Sequence, residues 1–122
     1  MPARLLIVDD EPSVLELLRR YLERLGHSVD IASNAEQALT LVERSRGAYD
    51  LVIADLQLPD LNGEEMIRQM RYHHPQLNAL ISSGHPSPSA SADPSSRRLF
   101  IQKPFLPQEL ADRISEILDS RK

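Results

Sequence analysis

Leu5-Leu6-Ile7-Val8-Asp9-Asp10, followed by Glu11-Pro12, decides how the rest of the chain is read. Four apolar residues in a row, closed by two acids, can be a buried strand or part of a helix. The shortness of the run and its β-branched pair favour a strand. Pro12 suits the first turn of a helix, where its missing N–H costs nothing. Val14, Leu15, Leu17, Leu18, Tyr21, Leu22 and Leu25 then recur at helical spacing, and Gly26 follows as a C-cap. The unit is a strand, an acid-bearing turn and an amphipathic helix.

The same unit repeats outward from there. Val29-Asp30-Ile31-Ala32 is a second strand, and Asn34 with Gln37 forms a capping pair for a helix carrying Ala38, Leu39, Leu41 and Val42. Gly47 ends that helix. Leu51-Val52-Ile53-Ala54 is a third strand, again closed by an acid, Asp55. A Pro59…Gly63 loop leads into a helix with Met66, Ile67 and Met70 that stops before Pro75. Ala79-Leu80-Ile81-Ser82 and Leu99-Phe100-Ile101-Gln102 are the fourth and fifth strands. The last helix begins near Pro107 and buries Leu110, Ile114, Ile117 and Leu118.

Strands apolar on both faces, alternating with amphipathic helices, imply a parallel sheet covered on both sides. Right-handed crossovers then give a flavodoxin-like (βα)5 doubly wound α/β fold with strand order 2-1-3-4-5. One stretch breaks the alternation. Between Ile81 and Leu99 there is no large aliphatic side chain, and Pro86, Pro88 and Pro94 stand among serines. A helix there has nothing to bury, so the fourth helix is expected to be short or disordered.

At 122 residues the chain has the size of one domain, read as spanning 1–122. Hydrophobic residues at 41% suffice for a core, and a net charge of -4 without a Lys/Arg run argues against direct binding to nucleic acid. The lack of cysteine removes disulfides and thiolate metal sites and fits a reducing cytoplasm. No segment approaches the ~18 apolar residues of a membrane span, and the N-terminus lacks a signal-peptide core.

Chemistry concentrates at the strand ends. Asp9 and Asp10 follow the first strand, Asp55 the third, Ser82 and Ser83 the fourth, and Lys103 the fifth. In a doubly wound sheet these ends share one rim. Clustered carboxylates repel unless a cation sits among them, and Mg²⁺ suits an all-oxygen site that keeps several waters. A carboxylate there can act as a nucleophile on phosphorus. A metal and an ammonium would neutralise the transferring oxygens.

With these residues the sequence resembles the response-regulator receiver domains of two-component signalling. The matching pieces are Leu6-Ile7-Val8-Asp9-Asp10-Glu11, Asp55-Leu56-Gln57-Leu58-Pro59…Gly63, Ile81-Ser82-Ser83-Gly84 and Phe100-Ile101-Gln102-Lys103-Pro104-Phe105. The resemblance implies that Asp55 is the phosphoacceptor. Asp10, Asp55 and the Gln57 carbonyl would hold Mg²⁺ directly, with Asp9 acting largely through water. Ser83 aligns with the switch hydroxyl and Phe100 with the switch aromatic. Lys103 would contact the phosphoryl group across a cis Lys103-Pro104 bond. Gln57 and His85, each two residues beyond a site residue, would tune phosphoryl lifetime.

The implied function is Mg²⁺-dependent phosphoryl transfer from a histidine kinase or histidine phosphotransfer protein to Asp55, which switches conformation. Such a domain catalyses only its own phosphorylation and dephosphorylation and is not a conventional enzyme. The Pro/Ser stretch replaces a helix of the family's usual dimer face, which argues against that dimer mode and leaves room for a weak homodimer. It also motivates an alternative, a receiver-like interaction module that works without phosphate. A third reading, a hydrolase of the aspartyl-phosphate type, suits the chain less. Gln57 stands where such enzymes carry an acid, and the length scarcely permits a cap domain.

Overall fold

The computed structural model describes residues 3–84 and 100–120. Nine elements follow one another: β1 (Arg4–Val8), α1 (Pro12–Arg24), β2 (Ser28–Ala32), α2 (Ala35–Arg44), β3 (Leu51–Asp55), α3 (Gly63–His73), β4 (Ala79–Ser83), β5 (Phe100–Gln102) and α4 (Pro107–Ser120). The strands form one sheet in the order β2-β1-β3-β4-β5, and every pairing is parallel. This is the flavodoxin-like topology expected from the sequence. The Pro/Ser segment and His85 lie outside the described residues, so the expectation of a short or disordered fourth helix does too.

Alternation along each strand divides the core in two. Leu6, Val8, Val52, Ala54 and Ile81 face α2 and α3, where Ala38, Val42, Met66 and Met70 close over them. Leu5, Ile7, Leu51, Ile53 and Leu80 face α1 and α4, against Leu15, Leu22, Leu110 and Ile114. Burying each of these larger aliphatic side chains contributes about 2 kcal/mol relative to leaving it in water. The central strands are sealed on both faces, which is why they read as unbroken apolar runs. β2 lies at the sheet edge and is sealed less well, leaving Asp30 and Ile31 exposed. Two leucines of the expected α1 stripe, Leu17 and Leu25, are also more than half exposed, at 57% and 52%.

The helix ends follow from short-range chemistry. Gly26 adopts φ +100°, its N–H donates to Glu23 O at 3.0 Å, and His27 N–H reaches Leu22 O at 3.2 Å. These are the two bonds of a Schellman stop after α1. Asn34 Oδ1 accepts the Gln37 amide at 2.8 Å, while Gln37 Oε1 accepts from Ser33 N at 2.9 Å. The expected capping pair is therefore present, but its return bond reaches one residue further back than a capping box does. Among the described residues no helix is long and apolar enough to cross a membrane.

Candidate functional site

The carboxyl ends of β1, β3 and β4 and the residue after β5 meet at one rim because all the strands run the same way. Asp9, Asp10 and Asp55 each offer a carboxylate oxygen there, and those oxygens lie within 4.8 Å of one another. Lys103 Nζ donates to Asp9 Oδ2 at 3.1 Å and to Asp55 Oδ2 at 3.2 Å. Residues separated by 94 and 48 positions thus share one ammonium.

Burial grades the three acids. Asp9 is 3% exposed, and its other oxygen accepts the Glu11 amide at 3.0 Å. Asp55 is half-buried and its Oδ1 accepts the Gln57 amide at 3.2 Å. Asp10 is exposed. Among the described residues every fully buried side-chain polar atom has a partner, which is the usual condition for a polar group so deep in a sheet. Burial alone pulls the Lys103 pKa down, but the two aspartates outweigh it and hold the ammonium above its ordinary value.

Lys103 is itself anchored. Its amide donates to Ser83 O at 2.6 Å, and the Lys103-Pro104 peptide is cis, as the resemblance implies. On the β3 side, the Leu56 amide donates to Ser82 O at 2.8 Å, so β4 holds the chain on both sides of the pocket.

Both serines are buried, and the strand alternation separates them. Ile81 belongs to the α2/α3 side of the core and Leu80 to the α1/α4 side. Ser83 therefore projects to the same face as Ile81, and Ser82 to the same face as Leu80. Phe100 pairs with Ile81 in register and packs on the α2/α3 side as well. Ser83, not Ser82, shares a face with the aromatic. His85 lies outside the described residues.

Three residues between the acceptor and the first turn of α3, Asp60, Asn62 and Gly63, shape the site although no chemistry at the strand ends points to them. Gly63 lies so close to β3 that a Cβ on it would meet Asp55 O at 2.4 Å. Asn62 caps α3 by accepting the Glu64 amide at 2.8 Å. Asp60 binds the head of α2, with partners 25 and 24 positions upstream. Asn62 carries a local signal, a cap-type residue before a helix. Asp60 carries none.

The donor set fits a small hard cation. It consists of oxygens only, it sets three carboxylates against one ammonium, and it exposes Asp10 to water. Residues 5–115 match the family model described as the response regulator receiver domain. The chain belongs to the response regulator receiver domain family. Its relatives include the response regulator MprA of Mycobacterium sp. (strain KMS), 36% identical over 97% of this chain and 51% of that protein. The transcriptional regulatory protein ResD of Bacillus subtilis is 32% identical over 94% of this chain and 48% of its own length. This receiver domain thus spans about half the length of these curated relatives. A CheY-like receiver domain protein from Methanospirillum hungatei superposes with a TM-score of 0.84 at 30% identity, covering 98% of this chain and 96% of that one. The receiver domain of the hybrid histidine kinase CckA gives a TM-score of 0.79 at 27% identity, covering 94% of this receiver chain and 98% of the other.

Proposed function

We propose that this receiver domain takes a phosphoryl group onto Asp55 from a phosphohistidine of a histidine kinase or phosphotransfer protein. The observation that carries this reading is the convergence of Asp9, Asp10, Asp55 and Lys103 into one pocket. An Asp55 carboxylate oxygen attacks phosphorus, the P–N bond breaks, and the imidazole of the donor leaves. Asp10, Asp55 and the Gln57 carbonyl would hold Mg²⁺, and the neighbouring Asp9 would add its negative charge to the site. When bound, Mg²⁺ supplies positive charge that offsets the repulsion between the incoming phosphoryl oxygens and the acids.

Lys103 provides the second positive charge. Its ammonium lies 3.2 Å from Asp55 Oδ2, within reach of a group attached there. Asp9 keeps that ammonium aimed by accepting from it at 3.1 Å. Once the phosphoryl group is in place, the Ser83 hydroxyl donates to one of its oxygens. The move frees space on the α2/α3 face, and Phe100 follows by packing, since it lacks a hydroxyl of its own. Gln57 and His85 set how long the group lasts. The domain turns over no external substrate; it catalyses only its own phosphorylation and hydrolysis, in the cytoplasm.

Acetyl phosphate labelling tests the assignment. The unsubstituted chain acquires one acid-stable, base-labile phosphoryl group in the presence of Mg²⁺, and Asp55→Asn acquires none. Equal labelling of the two would overturn the reading. Nothing favours the phosphate-independent module, whose motive lies in the segment outside the described residues.

A further inference from the structure

Asp60 makes contacts that the proposed chemistry leaves unused. Its Oδ1 accepts the Ala35 amide at 2.9 Å and its Oδ2 accepts the Glu36 amide at 3.0 Å. These are the first two N–H groups of α2, which have no partner inside the helix. The next two go to Asn34, the Gln37 amide to its Oδ1 and the Ala38 amide to its backbone oxygen. The head of α2 is thus satisfied half by its own cap and half by a carboxylate from the loop after the acceptor. A carboxylate suits the positive end of a helix, and its hydrogen bonds are roughly twice as strong as neutral ones.

Asp60 sits at the tip of that loop. The base of the loop is closed by the Gly63 amide on Leu56 O at 2.7 Å and by an antiparallel bridge between Gln57 and Asn62. The loop is thus braced at its base, and Asp60 ties its tip to α2. On the far side, the Asp9 amide donates to Ala32 O at 3.1 Å, and Ala32 runs through Ser33 and Asn34 into Ala35. The bonds form a ring from Asp9 through Ala32, Ala35 and Asp60 to Gln57 and Asp55, which Lys103 closes across the pocket.

We propose that Asp60 is a positioning residue for the metal site: by clamping the acceptor loop to the head of α2, it fixes Asp55 and the Gln57 carbonyl relative to the acids after β1. This rests on the reading of Asp9, Asp10 and Asp55 as the Mg²⁺ site. A residue that merely stabilised α2 would have no effect on the metal beyond that of any other cap, and Asn34 supplies the comparison.

The test is a Mg²⁺ titration of the full chain without any phosphodonor, followed by amide chemical shifts, alongside thermal unfolding. Asp60→Ala is expected to weaken Mg²⁺ binding about tenfold, in line with other residues that hold metal ligands in place. Asp60→Asn keeps one acceptor oxygen and should fall between. Asn34→Ala should lower the melting temperature comparably yet leave Mg²⁺ affinity within about twofold, since its side chain holds no metal ligand. Unchanged binding in Asp60→Ala, or equal weakening in Asn34→Ala, overturns the proposal. If Asp60→Ala does not fold, Asp60→Asn against Asn34→Ala decides in the same way. A chain that binds no Mg²⁺ even without substitution overturns the metal-site reading itself, and the proposal with it.

Discussion

Replacing Gly63 by alanine should damage both the fold and the chemistry, although helix propensity alone forecasts the opposite. Gly63 opens α3, and alanine within a helix is favoured over glycine by up to about 1 kcal/mol. Here the added Cβ would stand 2.4 Å from Asp55 O, 3.1 Å from Leu56 Cα and 3.2 Å from Asp55 C. All three atoms are backbone, so no side chain can rotate away. Restoring an ordinary contact requires the strand end and the helix start to separate by about 1 Å, an overpacking that typically costs 1–3 kcal/mol. Set against the full propensity gain, the mid-range cost leaves a net loss of about 1 kcal/mol, a fall in melting temperature of roughly 5 °C for a domain of this size. The carbonyl that must retreat belongs to the acceptor itself. A misplacement of about 1 Å at a reacting group can slow a reaction on the order of 100-fold. Thermal unfolding and the rate of Mg²⁺-dependent labelling by acetyl phosphate measure the two effects. A Gly63→Ala chain that melts higher and labels normally would show that the close approach of α3 to the Asp55 carbonyl constrains neither the fold nor the acceptor.

Two further outcomes follow from the pocket and from the opposite end of the sheet. Lys103→Met removes the ammonium between Asp9 and Asp55 and strands the buried Asp9 carboxylate, so stability should fall by about 2–4 kcal/mol. Mg²⁺ should restore part of that loss in urea unfolding, whereas equal losses with and without the ion would contradict the shared-pocket geometry. His27 accepts the Ala3 amide at 3.1 Å through Nδ1, and burial holds its pKa below the ordinary 6.5. Its contribution is therefore complete above 6.5 and disappears as pH falls through that value towards the lower folded-state pKa. His27→Gln should flatten the fall in melting temperature between about pH 7 and pH 5; an unchanged slope would show that another group is responsible.

What the sequence disclosed is what short-range chemistry controls. Leu51 to Ala54 is sealed on both faces and could be read as a central strand from its apolar run alone. Asp55 and Lys103 were legible because parallel strands bring their carboxyl ends to one rim whatever the intervening length. Leu17 and Leu25 recur at helical spacing yet stay exposed, because that spacing gives an apolar stripe but not how wide a face its neighbours cover. Motif position singles out Ser83 over Ser82, and the register that pairs Ile81 with Phe100 puts Ser83 on the same face as the aromatic. Asp60 was invisible for a different reason. Its partners are backbone amides at the head of another helix, and no side-chain pattern near residue 60 announces them.

Reductive trapping probes the acceptor most directly. Borohydride converts an aspartyl phosphate, and not a free aspartate, to homoserine, so peptide mass mapping after acetyl phosphate and Mg²⁺ reports which carboxylate carried the group. Homoserine at position 55 alone is the expected result. Homoserine at position 9 or 10, or none at all from a chain that has bound Mg²⁺, would mean that the oxygens gathered at this rim serve some other chemistry.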